Sequence, residues 1–294
     1  MVQPALQNAP RVNDKLTPRE FRGMVAILLS IALATLDTAI ANTALPAIAA
    51  DLNASPAASV WIINAYQLAA VATLLPFAAL GGVLGQRKVY LGGLILFVVS
   101  SALCTFSWSL PTLTVARVLQ GIGASAIMSV NAGLISSIFP RERLGRGLGM
   151  NALVVGTSFS IGPTIASLVL SVAHWPWLFA INLPIGLFAL VFAWNSLPAT
   201  KPGSLTFDRL TALLNVITFG ALIFALSQAA QLGSMSSVLI ALAIFLVGGA
   251  MMLRREAGHP APMFPLDLLK RPMFALSALT AFCSFATQGL AFVS

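Results

Sequence analysis

Charge is what this chain lacks: only 8% of its 294 residues are charged and 58% are hydrophobic, against about 25% charged in an ordinary soluble domain. So few charges cannot clothe the surface of a soluble fold of this length. Cysteine and histidine are nearly absent, two of each, so neither a disulfide framework nor a metal-ligand spacing can be assembled. Cys104 and Cys283 fall inside apolar stretches and read as small buried residues. His174 and His259 stand singly near loops and read as solvated. No glycine-rich loop ending in Lys-Ser or Lys-Thr occurs, which excludes an ATP-driven motor within this chain. No nucleophile–base set or paired carboxylates occur either, so we expect no enzyme and no cofactor. The net charge of +8 comes without a basic stripe interleaved with aromatics, which argues against nucleic acid.

What the chain does have is length of hydrocarbon. Apolar runs fall at about 24–46, 58–81, 89–107, 112–137, 148–171, 177–197, 210–230 and 236–253, and a ninth begins near Met273. A bilayer-spanning helix needs about twenty such residues, so the expected fold class is an all-α integral membrane protein. The first run is too long for a cleavable signal peptide and carries Asp37 and Asn42 within it.

Lysine and arginine set the orientation. Arg11, Lys15, Arg19 and Arg22 precede the first run; Arg87 and Lys88 follow the second; Arg141, Arg143 and Arg146 follow the fourth. Lys201 and Arg209 follow the sixth, and Arg254, Arg255, Lys270 and Arg271 the eighth. The intervening loops, near residues 47–57, 108–111, 172–176 and 231–235, have none. The basic side is the cytoplasm, and the N-terminus lies on it.

Two charges break the pattern. Asp37 and Arg117 sit well inside apolar runs, where an ionised group costs roughly 2.5–3.5 kcal/mol at the bilayer centre on insertion scales. Such groups mark ion or substrate pathways, or buried pairing devices. A carboxyl withdrawn from water favours its neutral form, so Asp37 can load and release a proton, and when ionised can attract a cation. Arginine stays charged and cannot carry the proton itself. Arg117 and Gln120 are three apart on one helix face, so both can reach one partner. Thr38 and Asn42 share a different face and are expected to bond a neighbouring helix.

Several segments resemble a known family. Leu36-Asp37-Thr38-Ala39-Ile40-Ala41-Asn42-Thr43-Ala44-Leu45-Pro46 is similar to the first-helix signature of the fourteen-helix drug:proton antiporter branch of the major facilitator superfamily. Ala116-Arg117-Val118-Leu119-Gln120-Gly121-Ile122-Gly123 resembles the fourth-helix signature, and Gly162-Pro163 the glycine–proline element of its antiporters, with Ala166-Ser167 where a glycine pair is usual. Trp61 to Leu68 resembles the start of the second helix, and Trp175 to Gly186 the junction before the sixth. Trp175 and Trp177 read equally well as an interfacial aromatic belt. In Gly81 to Lys88 the family's acidic gate residue is replaced by Gly82, while Gly85, Arg87 and Lys88 fit the motif.

The resemblance implies twelve helices in two halves with two more between them. Residues 1–23 would then be a cytoplasmic tail, 24–198 the first six-helix half, 199–256 a linker and two added helices, and 257–294 a Pro-rich loop and the opening of an incomplete second half. It implies proton-coupled efflux of lipophilic or cationic compounds across the plasma membrane, the inner membrane in a bacterium. The alternatives are a carrier of another small solute and a non-transporting fragment; the chain alone is expected not to transport. Asp37 and Arg117 would couple the proton. Tyr66, Gln67 and Gln120 would line the substrate cavity or pack helices. Gly85, Arg87, Lys88, Gly121, Gly123, Gly162 and Pro163 would serve gating and helix packing. The implied partners are protons, a small molecule and the lipid bilayer.

Overall fold

The computed structural model describes residues 16–200, 203, 207–231, 233–256 and 270–293, and their regular structure is entirely helical. Among these described residues eight stretches are long and apolar enough to cross a membrane: Pro18–Asp51, Pro56–Leu84, Gln86–Thr105, Leu110–Ile138, Arg141–Val172, Pro176–Ser196, Arg209–Ala230 and Met235–Glu256. Each predicted run from the first to the eighth lies within, or within two residues of, one of them. His259 and most of the Pro-rich segment lie outside the described residues.

Helix α1 (Pro18–Asp51) outruns its apolar core because Thr17 and Glu20 cap it reciprocally, with Pro18 in the first turn. The second span opens with a single turn, α2 (Pro56–Ser59), and continues as α3 (Trp61–Leu84). Then come α4 (Gln86–Thr105), α5 (Leu110–Ile138) and, after a short 3₁₀ turn, α6 (Leu144–Val172). The sixth span is not one helix. It breaks at Ile181 into α7 (Pro176–Ala180) and α8 (Asn182–Ser196). Pro184 explains the break: it brings no N–H, and its ring crowds the carbonyl four residues back, at Ala180, where α7 ends. Helices α9 (Arg209–Ala230), α10 (Met235–Glu256) and α11 (Pro272–Val293) follow.

Helix α5 packs between α3 and α4, while α1 packs between α6 and α8; contacts of α4 with α8 and of α1 with α5 join the two sets. Helix α9 seats on α10 and on α3. At the α3 contact the rings of Trp61 and Phe224 stand 5.7 Å apart, and Asn64 donates to Ser227 at 2.5 Å. Asp208 caps α9 through the N–H groups of Leu210 and Thr211 and accepts from Arg255 Nε at 3.0 Å. The Arg255 and Thr211 bonds hold its carboxyl below the usual carboxylate range. This tie therefore stabilises the fold above the ordinary carboxylate pKa and fades as the pH falls below it.

The described residues form two apolar clusters in the interior. One gathers Met24 to Ala34, Tyr90, Phe97, Ala124 to Phe139 and Ala189 to Leu197; the other Ile40 to Ile48, Ile62, Cys104, Leu113, Ala116, Trp175 and Phe179. Along α1, α4, α5 and the α7–α8 pair alike, the boundary between the clusters falls at a polar residue: Asp37, Ser101, Arg117 with Gln120, and Asn182.

The α3–α4 turn depends on one glycine. Gly85 has φ +94°, and a Cβ there would lie 2.7 Å from the Thr200 carbonyl oxygen. The chain leaving α8 is stitched to this turn: Gly203 donates to the Gly82 carbonyl at 2.9 Å, and Thr200 Oγ1 accepts from the Arg87 N–H at 3.0 Å. Gly85→Ala is expected to cost about 1–2 kcal/mol from the left-handed backbone and to loosen this seam. The checks are a lower thermal midpoint and faster proteolysis around residues 198–208.

Candidate functional site

The two charges isolated by the sequence meet. Arg117 pairs with Asp37 across the α1–α5 contact, both almost wholly buried at 1% and 2% exposure. The guanidinium also donates to the Ile62 carbonyl through Nε at 3.2 Å and to Gln120 Oε1 at 2.6 Å. It lies 4.2 Å from the centre of the Tyr66 ring and 5.7 Å from that of Phe179, a cation enclosed by aromatic faces.

The carboxylate is as fully engaged. Its Oδ2 faces Arg117, while Oδ1 accepts from Gln120 Nε2 at 2.8 Å and Asn182 Nδ2 at 2.9 Å. Ser101 on α4 accepts from Gln120 at 2.9 Å and lies 3.5 Å from Asn182 Nδ2. The Cys104 thiol reaches Gln120 Oε1 at 3.5 Å. One network thus ties α1, α4, α5 and α8 at the seam between the apolar clusters. Its members are held by short-range geometry: Arg117 and Gln120 occupy one face of α5, and the Pro184 break presents Asn182 as the first residue of α8.

Sequence reasoning marked Asp37, Arg117 and Gln120 and missed Ser101 and Asn182. Asn182 carried a readable signal, an amide inside an apolar run two residues before a proline; Ser101 had none, since a serine suits any tight helix contact.

Tyr66 and Gln120 are buried within the network; Tyr66 serves as a lid on Arg117, and its hydroxyl donates to the Ala34 carbonyl at 3.3 Å. Gln67, the next residue along α3, is exposed. Asn42 donates to the Thr38 carbonyl of its own helix; Thr38 donates to the Ala34 carbonyl and also bonds the Tyr66 hydroxyl of α3, the neighbouring-helix contact expected of it. Trp175 is not a belt residue but buried, its indole N–H on Asp51 at 2.7 Å, whereas Trp177 is exposed. Cys104 is buried as expected, whereas Cys283 on α11 is exposed.

The glycines separate by function. A Cβ on Gly121 would strike the Tyr66 carbonyl, and one on Gly123 would lie 2.7 Å from the Phe97 nitrogen, so both let α5 touch neighbouring backbones. Gly162, next to Pro163 within α6, packs against Ala39 of α1. Arg87 donates to the Trp194 carbonyl at 2.6 Å in the last turn of α8, where a cation suits the helix end. Lys88 borders an apolar recess with Phe77 and Leu84. Among the described residues nothing lies within 4 Å of a Cβ placed on Gly82. Among the described residues no group of His, Cys, Asp and Glu is arranged to hold a metal.

Residues 27–294 match the Major Facilitator Superfamily. A protein named uncharacterized transporter YebQ, from Escherichia coli K12, is 47% identical over 94% of this chain and 61% of its own length. Riboflavin transporter RibZ of Clostridioides difficile is 34% identical over 65% of this chain and 44% of its own. Multidrug efflux pump LfrA of Mycolicibacterium smegmatis is 30% identical over 90% of this chain and 53% of its own. The chain thus spans about half the length of these relatives. Among solved structures, the POT family transporter PepTSo aligns with a TM-score of 0.58 at 16% identity, over 82% of this chain and 55% of that one.

Proposed function

This chain belongs to the major facilitator superfamily, and on that premise we propose that it serves proton-coupled efflux of lipophilic or cationic small molecules, with Asp37 as the proton-exchanging group and Arg117 as its counter-ion. Its N-terminus lies in the cytoplasm, and residues 24–198 act as one half of the carrier. The observation that carries the reading is the burial of a hydrogen-bonded acid–arginine pair at the seam between two apolar clusters. Intramembrane ionisable groups are working parts by default, and a pair this buried contributes little stability that apolar side chains of like size would not supply. The name of LfrA supports export of drugs.

The conformation described is a sealed one, for Asp37 is only 2% exposed. Exchange therefore requires the α1–α5 contact to open before proton or cargo reaches the carboxylate. That same sealing favours a second reading, in which the pair is a structural tie within a carrier of another solute; the name of RibZ points to such a solute.

Proton release on cargo binding separates the two. When a fluorescent lipophilic cation binds the purified chain in weakly buffered nanodiscs, a pH dye should report released protons, and Asp37→Asn should abolish the release. Binding without release, or equal release from Asp37→Asn, rejects the exchange reading.

A further inference from the structure

We propose that Asn182 is the positioning residue that registers the proton on Asp37, turning its side-chain amide from donor to acceptor when the carboxylate is neutralised. The inference rests on the exchange role of Asp37 given above.

The argument is one of donors and acceptors. An ionised carboxylate only accepts hydrogen bonds, and all three contacts of Asp37 are donors: Arg117, Gln120 and Asn182. When a proton from water binds one carboxylate oxygen, the group gains an O–H, the pair goes from neutral to a net charge of plus one, and a donor now faces donors. One neighbour has to offer an oxygen. Arg117 has none. Gln120 is pinned: its Oε1 accepts from Arg117 at 2.6 Å and faces the Cys104 thiol, while its Nε2 also serves Ser101 at 2.9 Å. Turning it would aim an amide N–H at the guanidinium.

Asn182 is differently placed. It enters the network only through Nδ2, on Asp37 at 2.9 Å and, more distantly, Ser101 at 3.5 Å. A half-turn of its amide presents Oδ1 to the new O–H without breaking any bond to Arg117. Its position gives that turn a consequence. Asn182 is the first residue of α8, directly after the break at Ile181, so a change in its side chain acts where the sixth span is already jointed. A buried donor left facing other donors is costly, and that cost drives the reorientation.

The test is infrared difference spectroscopy of the full chain in lipid nanodiscs, stepping from alkaline to acid. The wild type should show a protonated-carboxyl band that Asp37→Asn removes, and a side-chain amide band that moves on labelling with ¹⁵N-asparagine. In Asn182→Leu, which keeps the volume but neither donates nor accepts, the amide band should vanish and the carboxyl band should shift. Asn182→Ser, with a hydroxyl that does both, should keep the carboxyl band nearer its wild-type position, and it answers the same question if the leucine variant does not fold. An amide band that persists in both variants, with the carboxyl band unmoved, overturns the inference. Absence of the Asp37 band from the wild type instead overturns the exchange reading on which it rests.

Discussion

Arg117→Leu is expected to lower stability by about 3–5 kcal/mol, the cost of leaving one partner of a buried pair uncompensated. Among the described residues no other cation pairs with Asp37: Gln120 and Asn182 supply only amide donors. Two aromatic faces lose their cation at the same time. Helical content followed on heating the purified chain in detergent measures the loss. The companion variant carries Asp37→Leu with Arg117→Leu, which removes both charges at once. It should recover most of the stability, since replacing a buried pair by apolar side chains is often neutral or better by about 1–4 kcal/mol. Proton release on cargo binding should stay absent from both. If Arg117→Leu costs no more than an exposed ion pair, about 0–1 kcal/mol, then the pair is not closed to water as described.

The second large effect is steric. Gly121→Ala should destabilise by about 1–3 kcal/mol, the usual cost of forcing atoms into a filled core, because the added methyl meets the Tyr66 carbonyl and lies 3.1 Å from Ala69 Cβ. Backbone cannot turn aside as a side-chain tip can, so α3 has to retreat from α5. The retreat lifts the Tyr66 ring from Arg117, coupling a packing defect to the charged network. Gly156→Ala is the control: nothing lies within 4 Å of its added methyl, and there the gain in helix propensity, about 0.5–1 kcal/mol, should leave stability level or higher. The Gly121→Ala midpoint should fall below that of the wild type and the Gly156→Ala midpoint at or above it. Equal midpoints would mean that α3 and α5 are not in backbone contact.

The sequence announced the spans because hydrocarbon length is a property of single segments, and any apolar run near twenty residues must become a helix in lipid. It announced Asp37 and Arg117 for the same reason: a charge in such a run is conspicuous without knowing its neighbours. Their pairing was less legible. It depends on which faces of α1 and α5 meet, and that is set by the packing of several helices together, with Gly121 and Gly123 fixing α5 against α3 and α4. Gln67 and Tyr66 show the limit, being adjacent in sequence yet exposed and buried respectively. Trp175 shows it again, since its role turned on Asp51, far away at the end of α1. The joint at Ile181 was written in Pro184, but reading it needed the clash four residues upstream rather than the mean hydropathy of the run.

The division of the interior into two oily compartments has a mechanical corollary. Oily contact is short-ranged, so a defect in one compartment is felt in the other only through the polar washer between them. Backbone amides at the two ends of α1 should therefore exchange with heavy water at separate rates, and filling or emptying a site in one compartment should leave the protection of the other untouched while the washer holds. A molecule built this way can unfasten one end at a time.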